Sequence, residues 1–241
     1  MNKIELKFLE IRKFCEANAN PETVKKYARF FTEGYDAYGL GSVVFETQRD
    51  KWLDEWKQEM SFQDYLKLGD QLIATGKYEE ASFAISFVYH QADQFNRETF
   101  EHLGKWLENG ILNWGHTDVL SGKGLACFFN NHLLEIEAFA PWTQSVSVWK
   151  RRSVPVTLVE IVKTNTPIER ILSVIEPLMM DEAQKVQQGL GWLLREAWKK
   201  EPALTETFLM KWKDTCGRTI IQYATEKMTK EYRIKFRKEK G

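Results

Sequence analysis

The 241-residue chain has little of what several common protein classes require. Its three cysteines, Cys15, Cys127 and Cys216, lie far apart and form no Cys-x-x-Cys pair, so they predict neither a disulfide framework nor a zinc site. No apolar run is long enough to span a membrane. The N-terminal segment mixes charged with apolar residues, unlike a signal peptide. We therefore expect a cytoplasmic protein with buried free thiols.

Motifs of metal and cofactor chemistry are also missing. The four histidines lack a ligand spacing such as His-Glu-x-x-His, and no glycine-rich phosphate loop or Gly-x-Ser-x-Gly motif occurs. We expect no metal and no cofactor. His116 stands two residues before Asp118, and we interpret it as a surface or supporting residue rather than a catalytic base.

The formal net charge is zero, but the charges are unevenly distributed. From Lys227 to Gly241, seven Lys and Arg residues stand against two Glu residues, so this segment carries +5 and the first 226 residues carry −5. A neutral total does not favour strong non-specific binding to DNA, although it allows a local basic face. Residues 227–241 are interpreted as either an arm that binds DNA or a solvated terminal helix.

Helical periodicity dominates the sequence. One apolar stripe predicts an amphipathic helix and consists of Val186, Leu190, Leu193, Leu194 and Ala197. Asp181 is predicted to cap this helix in a capping box with Gln184. Glu201-Pro202 is predicted to end it and to open the next helix.

The segment Val154–Val159 is β-branched, but Pro155 argues against a central strand. We interpret it as a kinked helix that continues from Trp149. The small numbers of proline and glycine, six and fourteen, fit short connections between helices. The chain is thus predicted to be all-α and a single domain over residues 1–241. It is expected to form a curved solenoid of helical hairpins, whose concave face offers a binding groove.

A short theme combines tryptophan with arginine. Trp149 precedes Arg152 by three residues, Trp192 precedes Arg195 by three, and the two tryptophans lie 43 residues apart, as do Trp106 and Trp149. Residues three apart share a helix face. Aromatic rings beside guanidinium groups favour nucleic-acid binding. The alternative is that the tryptophans are core spacers of helical repeats of about 40–47 residues and the arginines are solvated.

A second cluster lies at Asn113-Trp114-Gly115-His116-Thr117-Asp118. Trp114 and Asp118 are four residues apart and therefore share a helix face. An aromatic ring with a nearby carboxylate suits a cationic ligand. The structural alternative is a half-buried tryptophan beside an ordinary surface aspartate.

Taken in order, these segments resemble the AlkD-like family of DNA alkylation repair glycosylases. The resemblance rests on Asn113-Trp114-x-x-x-Asp118, Trp149-x-Arg151-Arg152 and Gly191-Trp192-x-Leu194-Arg195-Glu196. The flanking stretches Tyr38-Gly39-Leu40, Lys77–Ala81 and Arg218–Ala224 are also similar to that family. The match extends from about Lys25 to Lys227. It implies an α-α superhelix of HEAT-like repeats.

The resemblance also implies an activity and roles for individual residues. The activity is excision of N3- and N7-alkylated purines from double-stranded DNA. The oligomeric state is not implied by the sequence, and we take a monomer as the default. By this analogy Asp118 is the catalytic carboxylate, Trp114 and Trp192 flank the damaged nucleotide, and Arg152 holds the DNA backbone. Arg151 is the nearest competitor for that last role. Gly115 departs from the pattern, because many relatives have a second carboxylate at this position.

The chemistry of the residues agrees with this analogy. An N3- or N7-alkylated purine is already cationic and leaves readily, so one carboxylate that stabilises the oxocarbenium-like sugar is a sufficient catalyst. Indole rings complement a cationic sugar and base. Two alternatives remain open: a non-catalytic HEAT-like binder of unusual DNA structures, and a protein-interaction scaffold.

Overall fold

The computed structural model describes residues 1–238, and all regular structure in this range is helical. The predicted all-α class is therefore confirmed for the described part of the chain. The chain divides into two compact units, Met1–Val119 and Leu120–Gly241. In residues 1–238, no helix is both long and apolar enough to cross a membrane.

The first unit contains seven α-helices in its described residues: α1 (Lys3–Ala17), α2 (Pro21–Ala28), α3 (Ser42–Trp56), α4 (Phe62–Ala74), α5 (Tyr78–Tyr89), α6 (Arg97–Asn109) and α7 (Trp114–Val119). A 3-10 turn, Ala92–Gln94, lies between α5 and α6. Asn2, Ser61 and Asn96 form capping boxes at α1, α4 and α6. These caps satisfy N–H groups that a helix leaves unpaired in its first turn.

Aromatic side chains form much of the core of the first unit. Trp52 and Trp56 on α3 stack with ring centroids 5.1 Å apart, and Trp52 meets Phe83 of α5 edge-on at 5.2 Å. The indole nitrogen of Trp52 donates to Glu10 Oε1 at 2.8 Å. Because a buried indole N–H needs an acceptor, this bond fixes the ring as well as satisfying it.

Two adjacent glutamates of α5 fasten the loop that precedes α3. The Glu79 carboxylate accepts the backbone N–H groups of Tyr38, Gly39 and Leu40 at 2.7 to 3.1 Å. Gly39 has a φ of 85°, and a Cβ there would lie 2.3 Å from the Asn20 carbonyl oxygen. Only glycine fits this position. Tyr38-Gly39-Leu40 and the Lys77–Ala81 segment are therefore in direct contact in this chain.

The second unit contains six α-helices in its described residues: α8 (Ala126–Asn130), α9 (Val148–Val162), α10 (Ile168–Ile175), α11 (Gln184–Lys200), α12 (Pro202–Trp212) and α13 (Arg218–Ala224). A π-helical segment, Leu120–Leu125, precedes α8. The 3-10 helices are Ile136–Gln144, Glu176–Leu178 and Tyr232–Phe236. Of the predicted basic segment 227–241, residues 239–241 lie outside the described residues.

Helix α11 is the centre of the second unit and packs against both α9 and α13. The five residues of its predicted apolar stripe are all fully buried. Pro202 opens α12, and α9 contains Pro155, so the predicted helix boundary at Glu201-Pro202 and the predicted helix through Pro155 are confirmed. A Cβ on Gly189 would lie 3.3 Å from Pro155 Cγ, and one on Gly191 would lie 2.4 Å from Tyr223 Cβ. These glycines let α9 and α13 approach α11 closely.

The predicted capping box at the start of α11 is wrong. The helix begins at Gln184 with Ala183 at the N-cap, two residues after Asp181. The Asp181 carboxylate instead receives Arg151 Nε at 2.5 Å and the Ala183 N–H at 2.8 Å. Asp181 thus binds the Arg151 guanidinium of α9 and the backbone just before α11, rather than serving as the N-cap of that helix.

Gly191→Ala is expected to lower the free energy of unfolding by about 1–3 kcal/mol, because the new methyl overlaps the backbone-proximal atoms of α13. The matched control is Gly122→Ala in the π-helical segment, where a Cβ meets nothing within 4 Å. This control should leave stability unchanged or raise it by up to about 1 kcal/mol. Urea unfolding of both variants measures the difference, and equal stabilities would contradict this account of α11.

Candidate active site

Asn113 organises the short helix α7. Its Oδ1 accepts the His116 backbone N–H at 2.8 Å, and its backbone carbonyl accepts the Thr117 hydroxyl at 2.9 Å. The Asn113 amide also lies 2.9 Å from His116 Nδ1. Asn113 therefore caps the helix and orients its first turn. As a result, the position of Trp114 is fixed at the start of α7.

His116 is buried, so of the two expected roles, surface or supporting, it has the supporting one. Its Nε2 lies 3.0 Å from the Tyr78 carbonyl oxygen, which can only accept, so Nε2 carries the proton. Nδ1 is then free to accept from Asn113. The ring stacks on Tyr78 at 4.3 Å. Burial lowers the pKa of His116 to about 4, so the neutral ring supports α7 and is unsuited to proton transfer with solvent.

This burial predicts a dependence of stability on pH. The pKa of His116 falls from its ordinary 6.5 to about 4 in the folded chain, so the unfolded chain binds the proton more readily. Stability is therefore highest above pH 6.5 and falls as the pH drops toward 4, by about 3 kcal/mol in total. Urea unfolding of the wild type and of His116→Gln should show a flatter pH profile for the variant.

The matched control for that measurement is His132→Asn. His132 is exposed and has a φ of 56°, a conformation that asparagine tolerates. The control variant should keep the pH profile of the wild type. If His116→Gln also keeps that profile, the neutral buried state of His116 is wrong.

Trp114 is held by contacts on two sides. Its indole Nε1 donates to the Phe30 carbonyl at 3.0 Å, and its ring stacks on Phe31 with centroids 5.5 Å apart and 13° between planes. Phe31 in turn stacks on Tyr35 at 4.7 Å, and Tyr78 meets Phe31 edge-on at 5.3 Å. The half-buried indole is therefore fixed before any ligand binds, which lowers the entropy cost of recognition.

Trp114 also lines a cavity of about 710 Å³ in the first unit. Six other aromatic side chains line this cavity: Tyr27, Phe30, Phe31, Tyr35, Phe45 and Tyr78. Sequence reasoning did not single out this cavity. The density of aromatic residues between Tyr27 and Tyr38 is the signal that could have indicated it.

Gly115 is enclosed by the same aromatic packing. A Cβ at this position would lie 3.2 Å from Tyr78 Oη, 3.3 Å from Asn113 Oδ1 and 3.5 Å from Phe31 Cε1. A side chain there would therefore require Tyr78 Oη and Asn113 Oδ1 to shift by a few tenths of an ångström. The departure from the family pattern at Gly115 thus accompanies the packing that fixes Trp114, and it leaves Asp118 as the acidic side chain of α7.

Asp118 lies one helical turn after Trp114 on α7 and is half-buried. Their four-residue spacing puts both side chains on one helix face. The first unit therefore carries the predicted catalytic carboxylate and one of the two predicted tryptophans on the same short helix, although Asp118 is not among the residues that line the cavity beside Trp114. Within residues 1–238, no group of three or more His, Cys, Asp or Glu side chains is arranged to hold a metal ion.

The other two predicted site residues lie in the second unit. Trp192 is half-buried on α11, next to the close approach at Gly191. Arg152 on α9 is 5% exposed, and its Nη1 donates to the Lys185 carbonyl in the first turn of α11. Arg152 thus joins α9 to the helix that carries Trp192.

Arg151, the competitor of Arg152, is bound by a loop. Besides its ion pair with Asp181, its Nη1 donates to the carbonyls of Ser145 and Val146 at 2.7 and 3.1 Å. Its Nη2 makes a second bond to Asp181. All three guanidinium nitrogens of Arg151 thus donate a hydrogen bond within the protein. Arg151 therefore has a structural function that leaves few of its donors for DNA.

The three regularly spaced tryptophans are not equivalent. Trp106 is 4% exposed and donates to Asp70 Oδ1 at 2.7 Å, so it is a core residue. Trp149 and Trp192 are half-buried. Arg195, three residues after Trp192, pairs with Glu196 and Glu226. The 43-residue spacing therefore does not distinguish core tryptophans from half-buried ones. The alternative in which the arginines are solvated is wrong for Arg195.

All regular structure in residues 1–238 is helical, which defines an all-α protein over the described chain. The model of the DNA alkylation repair enzyme family matches residues 11–228. The chain belongs to this family. No curated protein matches the sequence.

Solved structures show the same AlkD-like helical-repeat fold. The chain is similar to a predicted DNA alkylation repair enzyme from Enterococcus faecalis, with a TM-score of 0.74 and 17% identity over 88% of this chain and 98% of that one. It is also similar to AlkD2 from Streptococcus mutans, with a TM-score of 0.59 and 19% identity over 87% and 99% of the two chains. The protein smu.31 from Streptococcus mutans UA159 matches with a TM-score of 0.59 and 19% identity over 86% and 98%.

Proposed function

We propose that this chain is a monofunctional DNA glycosylase. It hydrolyses the N-glycosidic bond of cationic N3- and N7-alkylated purines in double-stranded DNA, acts as a monomer in the cytoplasm, and needs neither metal nor cofactor. The observation that carries the proposal is the position of the half-buried Asp118 on α7, one turn after an indole that Phe30 and Phe31 fix, in a chain of the DNA alkylation repair enzyme family.

The reaction requires little of the protein. When the C1′–N9 bond of N7-methylguanine breaks, both electrons leave with the base, which loses its positive charge. The sugar becomes oxocarbenium-like, and water then adds at C1′ and gives up a proton, leaving an abasic site. The Asp118 carboxylate stabilises the sugar cation and orients the water. An unmodified base is a far poorer leaving group and would remain in place.

The tryptophans supply the rest of the electrostatic environment. Trp114 and Trp192 flank the damaged nucleotide, and their electron-rich ring faces attract the cationic base and sugar. Since Trp114 is held by Phe30 and Phe31, it needs no reorganisation when the charge on the sugar develops. Preorganised groups of this kind contribute more to catalysis than groups that must move.

The direct test is incubation of the purified protein with methylated double-stranded DNA, followed by chromatography of the released bases. Release of 7-methylguanine or 3-methyladenine, with none of the four normal bases, is the expected result. Retention of all bases by a folded protein that binds the duplex would instead indicate a non-catalytic DNA binder. Absence of both binding and release would indicate a protein-interaction scaffold.

Arg152 carries the predicted contact to the DNA backbone, and Arg152→Ala should weaken binding to all duplex sequences equally. It should also reduce the slope of log affinity against log salt by about 0.9, the change for one lost phosphate contact. The control is Arg151→Ala, which removes the neighbouring guanidinium and should leave the slope unchanged. Because Arg152 is 5% exposed, thermal unfolding must show that the variant is folded. An unchanged slope in folded Arg152→Ala would assign Arg152 a purely structural role.

A further inference from the structure

A basic cavity of about 340 Å³ lies in the second unit, apart from the residues assigned above. Four cationic side chains line it: Arg218 of α13, and Lys230, Arg233 and Arg237 from the C-terminal segment. Its other lining residues are Ile221, Gln222, Thr225 and Phe236, so no carboxylate lines it within the described chain. We refer to these eight residues as the basic cavity.

The C-terminal 3-10 helix, Tyr232–Phe236, is fixed from the side of α12. Phe236 is fully buried, and Tyr232 Oη donates to Glu206 Oε1 at 2.8 Å. Lys235 Nζ pairs with Glu206 Oε2 at 2.5 Å and lies 3.6 Å from the centre of the Tyr232 ring. These contacts anchor the segment at Glu206, while Arg233 and Arg237 line the basic cavity.

The ion pairs divide the cations of this segment into two groups. Lys235 is neutralised by Glu206. The second group has no such partner: among residues 1–238, no salt bridge joins a carboxylate to Arg218, Lys230, Arg233 or Arg237. The like charges around the cavity repel each other. A bound anion would attract all four side chains and so make the electrostatic energy of the cavity favourable. Guanidinium groups are also well suited to hold phosphate oxygens in pairs.

Residues in and next to the basic cavity contact α11, the helix that carries Trp192. Gln222 lines the cavity, and its neighbour Tyr223 packs directly on Gly191 of α11. Glu226, just after α13, pairs with Arg195 of α11, the helix that carries Trp192. DNA bound at Trp192 would therefore lie beside α13, which contributes Arg218 to the basic cavity.

We propose that the basic cavity binds a phosphodiester group of double-stranded DNA, away from the nucleotide that is excised. This proposal rests on the proposed function in that DNA is the ligand, but it does not require catalysis. Contacts of this kind position a protein on the duplex without reading sequence. They also make binding sensitive to salt, because each neutralised phosphate releases counterions.

The test compares Arg233→Gln/Arg237→Gln with Lys235→Gln, a control in the same 3-10 helix whose cation is already paired with Glu206. Fluorescence anisotropy with an undamaged duplex gives the dissociation constant between about 50 and 200 mM salt. The double variant should reduce the salt slope by about 0.9 and weaken binding about 5- to 10-fold near 100 mM salt. Lys235→Gln should change the slope by less than half of that amount.

An unchanged slope in the folded double variant would overturn the proposal, as would an equal loss in Lys235→Gln, which would indicate general charge alone. Thermal unfolding checks that the variants are folded, and Lys230→Gln provides an exposed single substitution should the double variant fail. In a second arm, inorganic phosphate is titrated into the wild type. Stabilisation by phosphate with an unchanged DNA slope would assign the cavity to another phosphate-bearing ligand and refute DNA. Because the duplex is undamaged, these binding results test the basic cavity even if the protein proves not to be a glycosylase.

Discussion

Asp118→Asn is expected to lower the single-turnover rate of 7-methylguanine release by at least about 100-fold, the usual effect of removing one preorganised electrostatic group. The substitution keeps the size of the side chain and removes its charge, so the developing sugar cation loses its counter-charge. Affinity for the duplex should change little, because the undamaged backbone does not present that cation. The measurement is a single-turnover assay of alkali-cleaved abasic sites, with affinity determined in parallel.

The matched control is Asp93→Asn, an exposed aspartate in the 3-10 turn between α5 and α6. It removes the same charge from the same unit and should leave the excision rate at the wild-type value. Excision at the normal rate by Asp118→Asn would remove Asp118 from the catalytic role. An equal loss in both variants would attribute the effect to net charge rather than to position.

Trp192→Ala is expected to reduce the excision rate about 10- to 30-fold. A cation–π contact with a desolvated cation contributes up to about 2 kcal/mol, which corresponds to that factor. Trp192→Phe keeps an aromatic face and should recover part of the loss. A merely structural role would give lower stability without this graded effect on rate, so thermal unfolding accompanies the assay.

Trp149→Ala is the matched control, since Trp149 is also half-buried and belongs to the same unit. The account assigns it no contact with the damaged nucleotide, and its substitution should leave the excision rate within about twofold of the wild type, a change below about 0.5 kcal/mol. If Trp149→Ala and Trp192→Ala lose activity equally, the tryptophan spacing reflects a shared packing role. The assignment of Trp192 to the lesion would then be wrong.

Local physical rules predicted much of the fold. The apolar stripe of α11 and the Glu201-Pro202 boundary depend only on helix periodicity and on the missing N–H of proline. Both are confirmed. Pro155 was correctly placed in a helix rather than a strand, because a central strand cannot tolerate it whereas a long buried helix can accommodate one such break.

Contacts between distant residues were beyond the same rules. Asp181 has a local signature of a helix cap, but a guanidinium 30 positions away binds it instead. Glu79 and Glu80 look like the exposed first turn of an amphipathic helix, yet both are buried. Glu79 binds the loop before α3, and Glu80 binds Arg12 of α1. Neither partner is visible in a window of one helix, so local pattern could not predict these pairs.

The candidate site was likewise predictable from the sequence only in part. The shared helix face of Trp114 and Asp118 followed from their spacing, while their roles came from the family resemblance. The fixing of Trp114 by Phe30 and Phe31 could not be predicted, because it depends on an irregular loop after α2. The packing around Gly115 could not be predicted either, since it depends on the same loop. The roles of Asp118, Trp114, Trp192 and Arg152 remain predictions.

The central claim is that a single carboxylate with two indole rings is sufficient because the substrate base already carries a positive charge. The most direct measurement compares two duplexes that differ at one position, with 7-methylguanine in one and neutral 7-methyl-7-deazaguanine in the other. We expect the protein to bind both duplexes, the cationic one at least as tightly as the neutral one, and to release the cationic base alone. Equal release of the two bases, or no release of 7-methylguanine by a folded protein, would contradict this claim.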